Sequence, residues 1–355
     1  MYFSFKNKKI SGITLIVPKN ERSFVDDMKL FNADERRSTR LAKVMGYDKH
    51  RIAPENVAAS DMVEYGFKQL FESGDVKKEE IDAFVYITVS PDHFVPPTSR
   101  ILHGKLGLRK ETYCIDITQG CAAFEEGLIQ SFMLLEQSKI NKVALVTTDV
   151  LSHKVSPKDR NSFPLVGDAA SITIIENSET ENNIEAVILN DGTRAMALQI
   201  PAGGFRMPSS PETAIMHTDE EGNERSLDNL VMDGTTVFNF VMQDVPPMLF
   251  DLFKRANLTK DDFDWFLFHQ PNRFMLQKLA EKLKVPYEKM PANVVEKYGN
   301  SSGTTVPAVT VLTFENKEMP KKQKVCFSGF GVGLTWAAVV MDLTPLSFCK
   351  TITYK

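Results

Sequence analysis

The chain is poor in the residues that build cross-linked or metal-bound proteins. It has 4 cysteines in 355 residues and no CxxC or CxxH pair, so it encodes neither a disulfide framework nor a zinc spacing. The 6 histidines, His50, His93, His103, His153, His217 and His269, show no ligand spacing, and no metal is expected. No apolar stretch approaches the roughly 18 residues of a membrane span. No GxxxxGK[ST] phosphate loop occurs. Gly329-Phe330-Gly331-Val332-Gly333 has two GxG steps without the rest of a dinucleotide fingerprint. Neither sign of charge dominates: 42 Lys and Arg against 46 Asp and Glu leave a net charge of -4, with no overall pull toward nucleic acid or anionic membrane. Lys6, Lys8 and Lys9 precede the apolar residues 13–17, a run too short for a signal sequence. It reads as the first strand of a cytoplasmic protein.

What is present is a globular composition. Hydrophobic residues at 43% and charged residues at 25% exclude a disordered or collagen-like chain, and the length suits two domains or one double unit. A repeat supports the double unit. Lys78-Glu79-Glu80-Ile81-Asp82-Ala83-Phe84-Val85 resembles Lys260-Asp261-Asp262-Phe263-Asp264-Trp265-Phe266-Leu267, 182 residues later. At the same offset Lys142-Val143-Ala144-Leu145 meets Lys324-Val325-Cys326-Phe327. The surroundings predict helix, strand, helix, strand, helix, strand in each half. Near-continuous apolar strands alternating with helices predict parallel sheets covered on both faces. The division falls near 178, giving an N-terminal half, 1–178, and a C-terminal half, 179–355.

The offset pairs Cys121 with Gly303 and His269 with Ile87. Ligands of open α/β sheets bind outside the carboxyl ends of the strands, so Cys121, His269 and Asn300 are candidates for one crevice. Cys121 follows the strand Tyr113-Cys114-Ile115-Asp116-Ile117 and the turn Thr118-Gln119-Gly120. It opens a helix in which Phe124, Leu128, Phe132 and Leu135 recur at helical spacing. A helix N-terminus favours a thiolate and lowers the thiol from about 8.5, with Glu125 and Glu126 partly opposing. The other reading of Cys121 is a small buried hydrophobe, as for Cys114 and Cys326. His269-Gln270-Pro271-Asn272 ends an apolar strand. His269 is either fixed for chemistry by Pro271 or simply satisfied in a polar loop. Tyr298-Gly299-Asn300-Ser301-Ser302-Gly303 alone is turn chemistry at a helix start.

At these residues the chain resembles the β-ketoacyl-acyl-carrier-protein synthase III family of thiolase-like condensing enzymes. The matching motifs are Gly120-Cys121-Ala122-Ala123-Phe124, Asp159-Arg160, Gly167-Asp168-Ala169-Ala170, His269-Gln270-Pro271-Asn272, Tyr298-Gly299-Asn300-Ser301-Ser302 and Gly329-Phe330-Gly331-Val332-Gly333-Leu334-Thr335-Trp336, in order. The resemblance implies an α/β thiolase-like fold, a duplicated βα unit in five layers (αβαβα). It implies a triad of Cys121, His269 and Asn300. Cys121 would hold the acyl group of a thioester, with N–H groups of Cys121 and of the Gly331–Gly333 loop as the oxyanion hole. His269 and Asn300 would donate to the carbonyl oxygen of a malonyl-type thioester as carbon dioxide leaves, and condensation would give a β-ketoacyl product. The alternative is an acyltransferase that passes the acyl group to an alcohol or amine.

The resemblance also implies coenzyme A or acyl carrier protein thioesters as substrates, no cofactor, and a homodimer. Arg160 matches a contact to the nucleotide phosphates and Asn272 a contact to pantetheine. The family's tryptophan–arginine adenine clamp falls near Arg40 and Val44 and is not kept. Val95 falls where a bulky residue closes a short acyl pocket across the dimer in some members, which implies a roomier pocket. Residues 201–229 read as a long polar loop near the pocket. These departures set beside housekeeping fatty acid synthesis, with equal weight, a dedicated secondary-metabolite, long-chain lipid or surface-polysaccharide pathway.

Overall fold

The protein is described from a computed structural model, which covers every residue except 32, 33, 318, 320 and 321. In chain order the strands of its two large sheets are β1 (Tyr2–Lys6), β2 (Lys8–Pro18), β3 (Ala83–Ile87), β4 (Tyr113–Ile117), β5 (Lys142–Asp149), β6 (Ala169–Asn177), β7 (Asn183–Asn190), β8 (Trp265–Phe268), β9 (Gln323–Gly331), β10 (Thr335–Leu343) and β11 (Phe348–Tyr354). Six helices pack on them: α1 (Ala59–Ser73), α2 (Thr98–Leu106), α3 (Ala123–Leu135), α4 (Gly234–Arg255), α5 (Arg273–Leu283) and α6 (Thr305–Phe314). Strand order is β11-β2-β6-β5-β3-β4 in the first sheet and β1-β7-β10-β9-β8 in the second.

Helices α3 and α6 lie between the sheets, α1 and α2 cover the first, and α4 and α5 cover the second. The result is the five-layered αβαβα arrangement. The middle layer is largely apolar and buried because it meets a sheet on each side. Phe124, Leu128, Phe132, Val306 and Val309 are all at 0% exposure there, beside Val143 and Phe327 from the facing strands. Each such large side chain contributes about 1.5–3 kcal/mol of burial.

The duplication is real in three dimensions. β3 and β5 stand 182 residues before β8 and β9, and α3 stands 182 before α6. Pairing senses match as well: β2 with β6 and β6 with β5 are antiparallel and β5 with β3 parallel, as β7 with β10, β10 with β9 and β9 with β8 are.

Four sequence expectations need correction. Residues 13–17 belong to the second strand, because Tyr2–Lys6 precedes it and pairs with β7. The sheets are mixed, not parallel: β9 and β10 are joined by residues 332–334 alone, too few for a crossover, so they run antiparallel. The second half has no counterpart of β4. The positions 182 after it form the short helix Val295–Tyr298, preceded by Pro291, which has no N–H for a ladder, with Glu296 and Lys297 interrupting the apolar run a buried strand would need. Finally, the chain ends cross over: β1 joins the sheet of the C-terminal half and β11 that of the N-terminal half. No helix among the described residues is long and apolar enough to cross a membrane.

Candidate active site

The site lies where the N-termini of α3 and α6 abut. Gly303 permits this approach, since a Cβ there would stand 2.5 Å from the Ala123 Cβ and 2.6 Å from the Gly120 carbonyl oxygen. Cys121 is 9% exposed, two residues before α3, with the Val332 N–H pointing at its sulfur. Gly331 lies so close that a Cβ would come within 2.5 Å of Sγ. The 331–333 segment therefore brings backbone, not a side chain, to the Cys121 sulfur. The donors that face the sulfur are the N–H groups of Cys121 itself and of Val332, the middle residue between Gly331 and Gly333.

The thiol is not lowered as the helix N-terminus predicts. Burial pushes Cys121 up to about 11, and the nearby Asp149 charge adds to this, while the backbone donors and the Ser302 hydroxyl only partly offset it. Glu125 contributes no opposing charge. It is fully buried with both carboxyl oxygens unpartnered, so burial holds it neutral. Glu126 is held by Gln119.

His269 follows β8 and is 2% exposed. Burial depresses its imidazole to about 3, so the ring is neutral at physiological pH. Its Nδ1 is 2.6 Å from the Thr305 hydroxyl, which also meets the Ser302 carbonyl oxygen at 3.0 Å and the Gln270 N–H at 3.2 Å. That hydroxyl has one proton. Given to Nδ1, it leaves Nε2–H as a donor; given to the Ser302 carbonyl, it leaves Nε2 an acceptor.

Asn300 is clamped by its backbone. Its N–H donates to Leu165 (2.7 Å), its carbonyl accepts from Gly167 (3.1 Å), and it forms a bridge with Val166. Gly167 makes this contact possible, because a Cβ there would fall 1.9 Å from the Tyr298 carbonyl oxygen. The Asn300 Oδ1 accepts from the Ser302 N–H at 2.9 Å, which leaves its amide Nδ2 to donate. Asp168 and Asp159 of the sequence motifs are structural. Asp168 binds Ala53 and Ser152, and Asp159 holds Asn161 and Ser162 and pairs with Arg225.

Cys121, Asn300, Ser302 and Val332 line one cavity of about 190 Å³, whose other walls are mainly apolar. Leu151 and Leu165 come from the connection between β5 and β6, and Leu198, Ile200, Leu230 and Met232 from the flanks of the 201–229 excursion. That loop is tied down by two short ribbons, Leu198–Gln199 with Val231–Met232 and His217–Thr218 with Glu224–Arg225. Val95 does not line this cavity. It is 81% exposed in a neighbouring cleft of about 990 Å³ that shares Val89, Leu151 and Ile200 with it. Arg160 is exposed, with its N–H on Asn223. Asn272 is buried and its Oδ1 caps α5 through the Met275 N–H at 2.8 Å. Arg40 and Val44 are exposed on the helix Glu35–Met45. Among the described residues, no cluster of three His, Cys, Asp or Glu could hold a metal.

Sequence reading gave no role to Ser302, Thr305 or Asp149, whereas Val332 lies in the Gly331–Gly333 loop that the family resemblance marks. Thr305 follows the turn motif, and only the fold brings it under His269. Asp149 did carry a signal: a carboxylate at the carboxyl end of a strand whose centre, Val143-Ala144-Leu145-Val146, is apolar.

Two segments match family profiles: residues 115–193 match 3-oxoacyl-[acyl-carrier-protein] synthase III, and residues 253–343 match its C-terminal region. The chain is 32% identical over 354 residues to a putative 3-oxoacyl-[acyl-carrier-protein] synthase 3 of Campylobacter jejuni, covering 99% of this chain and 98% of the relative. It is 32% identical over 298 residues to a β-ketoacyl-[acyl-carrier-protein] synthase III of Caldanaerobacter subterraneus, covering 83% and 86%. The crystal structure of a 3-oxoacyl-(acyl-carrier protein) synthase from Burkholderia xenovorans superposes with a TM-score of 0.91 at 29% identity, over 100% of this chain and 99% of that one. By sequence over its whole length, and by the thiolase-like fold, the chain belongs to the 3-oxoacyl-[acyl-carrier-protein] synthase III family of condensing enzymes.

Proposed function

We propose that the chain carries out decarboxylating condensation of an acyl thioester with a malonyl-type thioester through an acyl-Cys121 intermediate. Cys121 attacks the donor carbonyl carbon, and the oxyanion forms beside the N–H groups of Cys121 and Val332. Such a pair of fixed donors acts where charge develops, each worth about 10²–10³ in rate. Gly331 lets this backbone reach the sulfur, and Gly333 lets the turn close behind it. The acyl chain lies in the apolar cavity beside Leu198, Ile200, Leu230 and Met232.

The malonyl-type thioester then enters. The Nδ2 of Asn300 and the Nε2–H of His269 donate to its carbonyl oxygen as carbon dioxide leaves. This role uses the tautomer in which Thr305 donates to Nδ1. A neutral imidazole suits it, since it donates without drawing a proton into the buried site. The carbanion attacks the acyl-Cys121 carbonyl, and the β-ketoacyl product departs on its carrier. The observation that carries this reading is Cys121 and Asn300 facing one apolar cavity with the free donor of Asn300 uncommitted. Transfer to an alcohol or amine gives Asn300 nothing to do.

The carrier is acyl carrier protein or coenzyme A, with Arg160 toward the phosphates and the Nδ2 of Asn272 toward pantetheine, and no further cofactor is required. The assembly is a homodimer. Phe94, Val95 and Phe205 are 66%, 81% and 88% exposed and form one apolar surface, with the two rings 5.1 Å apart, which supports a partner there. Val95 then reaches the partner's cavity.

The test incubates the enzyme with an acyl thioester and labelled malonyl thioester. The reading predicts acyl loading on Cys121, labelled carbon dioxide and a β-ketoacyl product. Loading without carbon dioxide release, and delivery of the acyl group to an alcohol or amine, would replace it. Sedimentation at micromolar concentration tests the dimer, and a strict monomer would remove it.

A further inference from the structure

The segment that clamps Asn300 has two edges. Along one, residues 165–167 pair with the Asn300 backbone. Along the other lies a short ribbon, Glu21–Ser23 paired with Lys49–Arg51. There the Arg51 carbonyl oxygen accepts from the Asp168 N–H at 2.7 Å. The Val166 carbonyl oxygen is met by a side chain instead: the Nδ1 of His50 lies 2.6 Å from it. Val166 is buried, and a buried carbonyl needs a donor.

His50 is 1% exposed, and Asp27, at 0%, stands on the far side of its ring. The Nε2 is 2.7 Å from Asp27 Oδ2, close though out of line. The other oxygen of Asp27 accepts from Arg22, at 3.0 Å from Nε and 2.9 Å from Nη2. Arg22 stands opposite His50 in the ribbon and over the Phe163 ring, which also meets the imidazole edge to face. From the turn before Asn300, Gly299 packs so closely that a Cβ there would fall 2.9 Å from the His50 Cβ. Both ring nitrogens therefore face acceptors. A carbonyl has no proton to give, and neither has a carboxylate. A neutral imidazole carries one N–H, so its bare nitrogen would press a lone pair against an oxygen. Only a ring with a proton on each nitrogen satisfies both neighbours.

We propose that His50, as an imidazolium held by Asp27, is a positioning residue for Asn300. It fastens the Val166 carbonyl on the outer edge of the clamp and so keeps the Asn300 amide aimed at the malonyl carbonyl oxygen while carbon dioxide leaves. This role rests on the decarboxylating reading of the site. Cys121 stands before α3, outside the clamp, and acyl loading does not call on it.

The experiment compares wild type, His50→Phe and His50→Gln, with acyl loading on Cys121 read by mass spectrometry beside labelled carbon dioxide from malonyl thioester. Phenylalanine keeps a ring against Phe163 and donates nothing, while glutamine returns one N–H for Val166. His50→Phe should load close to wild type and release carbon dioxide about 10–10²-fold more slowly, the scale of a lost buried hydrogen bond and a misplaced donor. His50→Gln should recover most of this. In an Asn300→Ala background, His50→Phe should lower release no further, because both act through one amide. A histidine that only packs would lower it by the same factor in either background. Nitrogen-15 NMR of the wild-type ring reads the two protons without a substitution, so it decides the matter if the variants fail to fold. A proton on each ring nitrogen at the assay pH is expected, and a bare Nδ1 or Nε2 overturns the role. Unchanged release in His50→Phe, equal loss of loading and release, or additivity with Asn300→Ala overturns it too, while wild type still decarboxylates. A wild-type enzyme that loads Cys121 and releases no carbon dioxide overturns the condensing reading itself.

Discussion

Ile87 closes β3 and His269 follows β8, at corresponding positions of the repeat, yet one is apolar core and the other a buried imidazole bonded to the Thr305 hydroxyl. The same contrast recurs three more times at the 182-residue offset: Thr118 with Asn300, Cys121 with Gly303, and Asp149 with Gly331. The N-terminal half supplies the proposed nucleophile, Cys121. The C-terminal half supplies the proposed decarboxylation donors, and glycine wherever the first half needs room. Connections differ in the same way. Residues 150–168 join β5 to β6, build part of the cavity wall and clamp Asn300, whereas residues 332–334 join β9 to β10 and put the Val332 N–H against the sulfur. Duplication thus gave two copies of one scaffold, and the chemistry arose by making them unequal.

The largest expected break in this asymmetry is loss of the nucleophile. Cys121→Ala should reduce acyl loading by at least about 10⁴-fold, the scale for removing a nucleophile. Cys326→Ala, in the core of the other half, should load normally and lose only stability. Equal loading of Cys121→Ala and wild type by intact-mass measurement would end the assignment.

Smaller effects should follow where the halves meet. Thr305→Val leaves the buried His269 Nδ1 without its hydroxyl, a loss of about 1–3 kcal/mol, or roughly 5–150-fold in carbon dioxide release. Thr305→Ser should restore most of it; if Ser and Val behave alike, Thr305 only packs. Gly303→Ala forces the two helix N-termini apart and should cost about 1–3 kcal/mol in denaturant unfolding. A variant as stable as wild type would show that the helices do not depend on that contact. The smallest expected effect is none at all. His269 carries a proton only below about pH 3, so decarboxylation should stay flat between pH 5 and 6.5, where an ordinary histidine titrates. A step in that interval, lost in His269→Ala, would mean that the imidazole is not buried neutral.

The paired strands were legible because their apolar runs and charged leaders repeat, acidic before Ala83–Ile87 and Trp265–Phe268 and basic at the start of Lys142–Asp149 and Gln323–Gly331. The missing counterpart of β4 was not, since strand, helix and loop are decided there by Pro291 and by the backbone clamp on Asn300, a tertiary contact. The exchange of β1 and β11 between sheets was equally hidden, because either strand satisfies its pattern in either sheet. Cys121 was legible from strand, turn and helix, but its state was not. Helix position argues for a low thiol, and burial, which only the fold reveals, outweighs it. Asn300 looked like turn chemistry until its backbone was seen fixed to Leu165 and Gly167.

The central claim is that Cys121 takes the acyl group and that Asn300 serves the decarboxylation step alone. Asn300→Ala tests it most directly, with acyl loading on Cys121 followed by mass spectrometry beside release of labelled carbon dioxide from malonyl thioester. The account predicts loading close to wild type and carbon dioxide release lower by about 10²–10³-fold. Decarboxylation at the wild-type rate, or equal loss of both half-reactions, would contradict it.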